Sequence, residues 1–74
     1  MKKSLEAFQT LGIDLDHLNN LSINKSFVLL TANASEFLIN RCKELEIELT
    51  FNKTELTGWK TINGVSINFF LKIK

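Results

Sequence analysis

The sequence predicts one small α+β domain, a mostly antiparallel sheet of three to four strands with helices packed mainly on one face. Three observations carry this. Val65, Ile67, Phe69, Leu71 and Ile73 alternate with Ser66, Asn68, Phe70 and Lys72, the period-2 pattern of a strand with one buried face. Asn63-Gly64 stands directly before that run and is a strong hairpin signal. Upstream, Asn33-Ala34-Ser35-Glu36 resembles a capping box that opens an apolar stripe at helical spacing.

The elements follow in chain order as α-α-β-α-β-β-β. Ser4 is placed to cap a short helix over residues 5–11, where Leu5, Phe8 and Leu11 recur at helical spacing and Gly12 is a natural stop. Asp14 is placed to cap a second short helix with Leu15, Leu18 and Leu21 as its stripe. Residues 26–31 contain Phe27, Val28, Leu29 and Leu30 in succession, which suits a central strand covered on both sides. The helix capped by Asn33 runs over 34–45, with Ala34, Leu38, Cys42 and Leu45 on one face.

Ile47, Leu49 and Phe51 then alternate with Glu46, Glu48 and Thr50, which favours a strand over 47–51. Extending the helix to Leu49 is the competing reading, and it would leave Ile47 on the polar side. A parallel crossover through the helix could join 26–31 to 47–51. Residues 57–62 form the strand before the hairpin.

The hairpin register decides which aromatic faces out. A two-residue Asn63-Gly64 turn pairs Ile62 with Val65, puts Lys60 on the buried face and turns Trp59 outward. A three-residue loop pairs Thr61 with Val65, buries Trp59 and exposes Lys60. Turn chemistry favours the first and the hydrophobic pattern the second. An unpaired buried lysine is costly, so the second is the expected register. In both, Phe70, Lys72 and Lys74 share the outer face.

Composition bounds the rest. A chain of 74 residues is one domain with a thin stability margin. It begins at Met1 and carries no tag, which reads as a complete small protein. Apolar residues at 45% and charged ones at 23% make it globular rather than disordered. A net charge of +1 excludes an acidic mimic of nucleic acid and provides no global steering towards phosphate or anionic membranes.

The single cysteine, Cys42, allows no intrachain disulfide and points to a reducing cytoplasm. Lys2 and Lys3 are not followed by the apolar core of a signal peptide. The longest apolar run, 27–30, is too short to span a bilayer. Asn-x-Ser/Thr triplets at Asn20, Asn24, Asn33 and Asn52 read as by-products of an Asn-rich composition.

No constellation for chemistry stands out. Asp14, Asp16 and His17 are close together, but His17 lacks an HxH or HxxxH partner, and acidic residues belong at helix starts. Cys42 with His17 could make a thiolate pair, yet Cys42 lies on an apolar stripe and reads as core. Gly12, Gly58 and Gly64 are isolated and build no phosphate loop. Glu44, Glu46 and Glu48 read as a solvated face. The expectation is therefore no enzyme, no metal and no cofactor.

The one patterned surface is the outer face of the last strand. Phe70 with Lys72, Lys74 and either Lys60 or Trp59 sets an aromatic among cations. The bland reading puts a helix over Phe70. The functional one makes this a contact face for a protein, where aromatics are enriched. The expected function is a small binding protein, an inhibitor or regulator that blocks a surface of a larger protein or nucleoprotein complex. Size and an Asn/Lys/Ile-rich composition suit a phage-encoded anti-defence or anti-CRISPR protein, an expectation about a class rather than a deduction from a residue. The alternative is a single-stranded nucleic-acid module on the same face, with rings stacking on bases and lysines tracking phosphates. An uncovered strand edge also leaves pairing with a second copy open.

Overall fold

The computed structural model describes residues 2–73. Along the chain come α1 (Lys2–Thr10), a 3-10 turn (Leu15–His17), β1 (Asn20–Ile23), β2 (Phe27–Asn33), α2 (Glu36–Glu44), β3 (Thr50–Asn52), β4 (Glu55–Ile62) and β5 (Val65–Lys72). The strands form one five-stranded sheet in the spatial order β1-β2-β5-β4-β3. β2 and β5 lie side by side and parallel, and every other neighbouring pair is antiparallel. The α+β class follows, with one strand more than the sequence predicts.

The core lies on the inner face of the sheet. Val65, Ile67, Phe69 and Leu71 of β5 meet Val28, Leu30 and Ala32 of β2 there, under Ala7, Phe8 and Leu11 of the N-terminal segment and Leu38 and Cys42 of α2. On α1 the buried stripe is Ser4, Ala7 and Phe8, continued by Leu11 just past its end, and Leu5 lies at its exposed margin. Ser4 is inside the helix rather than capping it, and its hydroxyl donates to the Lys25 carbonyl at 3.1 Å. Gly12, with φ +67°, ends the segment as expected. Arg41 Nε donates to the Leu11 carbonyl at 2.6 Å and ties α2 to the end of α1.

Four local expectations are corrected. The second helix is a single 3-10 turn, because Leu21 belongs to β1 and its alternation with Ser22 and Ile23 builds an edge strand on β2. β2 is central but buried on one side only, and Phe27 and Leu29 face away from the helices. The cap of α2 is Ser35, not Asn33, its hydroxyl accepting from the Leu38 amide at 3.3 Å. The crossover does not place residues 47–51 beside β2: β3 starts only at Thr50 and joins the far edge, beyond β5 and β4.

The hairpin takes the two-residue turn, so the expected register is also corrected. Ile62 pairs with Val65, Lys60 with Ile67 and Trp59 with Asn68. Asn63 at φ 52° and Gly64 at φ 79° supply the left-handed pair that a type I′ turn requires. The cost expected for a buried lysine is not incurred. Lys60 reaches along the inner face and its amine donates to the Leu45 carbonyl at 2.8 Å, at the C-terminal end of α2. Helix ends leave carbonyls unpaired and favour cations, so the lysine and the helix end satisfy each other.

The chain leaves α2 through a Schellman motif. The Glu46 amide bonds the Lys43 carbonyl at 3.0 Å and the Ile47 amide bonds the Cys42 carbonyl at 2.8 Å. Glu46 occupies the left-handed position at φ 61°, where glycine is usual. Residues 47–49 then lie against β4 at Gly58. A side-chain carbon at Gly58 would sit 2.9 Å from the Glu48 carbonyl and 3.0 Å from Ile47 Cγ2, so only glycine permits the approach. Ile47 is buried and Glu48 exposed, which keeps the predicted alternation outside the hydrogen-bonded strand.

Candidate functional site

Residues directly opposite each other across strands share a face, so the registers map the outer face. One row runs Ser22, Leu29, Asn68, Trp59. The next runs Asn20, Thr31, Phe70, Thr57, Thr50. Flanking rows hold Phe27, Ser66 and Thr61 on one side, and Asn33, Lys72, Glu55 and Asn52 on the other. Both helices lie on the opposite face, so no helix among the described residues covers Phe70. Trp59 is 66% exposed, Phe70 42% and Phe27 40%.

The expected site residues separate accordingly. Phe70 and Lys72 occupy the outer face as anticipated, and Trp59 joins them because the hairpin takes the two-residue turn. Lys60 does not belong to this face, since it is turned inward to the Leu45 carbonyl. Lys74 lies outside the described residues. Lys72 stands between Asn33 and Glu55, at the far end from Trp59. The face is therefore an aromatic surface with one peripheral cation among the described residues, not an aromatic among several cations.

A shallow depression of about 630 Å³ opens between Trp59 and Phe70. These two sit diagonally across β4 and β5, a spacing of roughly 7–8 Å between backbones. Thr57, Thr50 and Asn68 give its floor hydroxyl and amide groups. Glu46 and Glu48 complete its lining. Their arrival there depends on the path of residues 46–49 along β4, which Gly58 makes room for.

Sequence reasoning missed four contributors. Phe27 and Leu29 were legible as apolar, but their unbroken run suggested cover on both faces. Glu46 and Glu48 were legible as solvated, but nothing local brings them to the aromatics. On the helical side, His17 stacks on Phe37 with ring centroids 4.2 Å apart, near exposed Leu15.

The groups considered for chemistry are dispersed. His17 is exposed against Phe37, whereas Cys42 is in the core, where burial pushes its thiol up to about 11. Among the described residues no group of three or more His, Cys, Asp or Glu side chains is placed to hold a metal ion. No helix among them is long and apolar enough to cross a membrane. No protein-family model, no curated protein and no solved structure matches this chain.

Proposed function

We propose that this chain is a non-enzymatic binding protein that lays the outer face of its sheet on a surface of a larger protein or nucleoprotein complex, as an inhibitor or regulator. The observation that carries this is Trp59 and Phe70 standing exposed together on a sheet face without a helix over it. Clustered exposed apolar groups mark interaction sites, and tryptophan is among the residues that dominate interface energetics. Phe27 and Leu29 extend the apolar area across β2. Steric blockade is the mechanism such a face supports. An anti-defence inhibitor working in the cytoplasm is one case of this reading. The alternative, single-stranded nucleic acid on the same face, has the stacking rings but sets them beside two acidic residues, Glu46 and Glu48, which repel phosphates.

Site-specific photocrosslinking in native host extract tests it. Trp59 and Phe70 are each replaced by p-benzoylphenylalanine, and Phe37 on the helical side serves as control. Crosslinks to one protein species from positions 59 and 70, with none from 37, are expected. Crosslinks from 37 alone would overturn the assignment of the face. A nuclease-sensitive adduct from 59 would replace it with the nucleic-acid reading.

A further inference from the structure

We propose that the depression between Trp59, Phe70, Glu46 and Glu48 binds an arginine side chain presented on a basic segment of the partner protein. This rests on the binding-face reading and names the partner's chemistry. Five observations converge. Trp59 and Phe70 both line the depression, and ring faces attract cations, guanidinium above all because it is flat enough to stack. Glu46 and Glu48 line it as well, and carboxylates are the groups a guanidinium fork engages.

The two lysines placed on β4 and β5 are directed elsewhere. Lys60 donates to the Leu45 carbonyl on the inner face, and Lys72 stands opposite Glu55, outside the lining. Among the described residues the lining thus carries negative charge with no cation of its own. The volume, about 630 Å³, is within the range of roughly 300–1,000 Å³ typical of ligand pockets.

The sequence also accepts a local cost here. Glu46 holds a left-handed backbone at φ 61°, and it puts a carboxylate at the end of α2, where the helix dipole disfavours one. Glycine would remove both penalties. Locally unfavourable residues concentrate at functional positions. A phosphate-bearing partner is disfavoured by the same two carboxylates.

Trp59 is the chain's single tryptophan, so its indole N–H signal needs no assignment and reports on the site directly. The full chain is titrated with a capped glycine pentapeptide carrying one central arginine, with its citrulline and lysine counterparts, and with oligothymidylate. The arginine peptide should move the indole signal saturably. The citrulline peptide, which keeps the shape and loses the charge, should bind at least tenfold more weakly, and lysine should fall between them. The double variant E46Q/E48Q changes two exposed side chains and should weaken arginine binding at least tenfold with a melting temperature at or slightly above that of the unsubstituted chain, since it also removes a carboxylate from the C-terminal end of α2.

The proposal is overturned by an indole signal that the arginine peptide does not move, by equal binding of citrulline, or by stronger binding of oligothymidylate. Photocrosslinking from position 59 separates the two levels. A protein adduct without arginine binding refutes this inference alone, and loss of the adduct refutes the face beneath it.

Discussion

Phe69 and Phe70 are neighbours in sequence and opposite in environment, so truncating each in turn tests the fold and the face together. Phe69 is 1% exposed, opposite Gly58 on β4 and Leu30 on β2. Its strand neighbours are fixed by the sheet and its remaining core neighbours by α1 and α2, so the space an alanine leaves fills only in part. Phe69→Ala should therefore cost about 3–5 kcal/mol. A chain of 74 residues has a total stability on the order of 4–11 kcal/mol, so this variant sits close to unfolding.

Phe70 is 42% exposed and packs only along the sheet surface. Fully burying such a side chain contributes about 1.5–3 kcal/mol, and partial burial scales this to about 1 kcal/mol for Phe70→Ala. Urea unfolding followed by far-ultraviolet circular dichroism reads both, because backbone signal does not depend on exposed Trp59. A loss of about 1 kcal/mol corresponds to roughly 4–8 °C in melting temperature for a domain of this size. Equal destabilisation by the two variants would refute the one-sided sheet, and a fully stable Phe69→Ala would refute the strand itself.

Further outcomes follow from single contacts. Gly58→Ala should destabilise by about 1–3 kcal/mol, because its new carbon falls 2.9 Å from the Glu48 carbonyl; a melting temperature at or above wild type would show that residues 47–49 do not lie there. Glu46→Gly should raise stability by about 0.5–1 kcal/mol in urea titrations while weakening arginine binding, and a loss of stability would remove the case for a strained carboxylate. Lys60→Ala should cost about 1–3 kcal/mol by leaving the half-buried Leu45 carbonyl unpaired, whereas a neutral result would return the hairpin to the other register. Cys42 should resist thiol reagents at pH 8 in the native state and react freely in urea. Its folded-state pKa, near 11, lies above the ordinary 9.0, so its effect on stability is confined to alkaline pH. Between those values the unfolded chain loses the proton first, and stability falls as pH rises. Native-state labelling at the unfolded rate would contradict a core position.

Local pattern and nonlocal contact divide this molecule cleanly. β5 was legible because side-chain alternation is a property of the strand's own nine or so residues. The left-handed preference of Asn63-Gly64 was legible for the same reason, and so was the stop at Gly12. β1 was not, since Leu18 and Leu21 fit helical spacing and only pairing with β2 makes the second of them strand. The one-sidedness of β2 was hidden too, because an apolar residue reads alike on a covered and an uncovered face.

Phe70 and Lys72 were placed on the outer face by sequence alone, since either hairpin register leaves them there. Trp59 and Lys60 take the faces opposite to those the hydrophobic pattern predicts. The desolvation cost of Lys60 is cancelled by a carbonyl 15 residues away, at a helix end whose position the hairpin sequence does not contain. The same holds for the depression. Its aromatics come from β4 and β5, but its carboxylates come from a segment held beside β4 by the glycine at 58. The sequence by itself determined an α+β domain and the polarity of its last strand, because periodicity is local. The tertiary structure decided which charges meet which rings, because that depends on where separate segments cross in space.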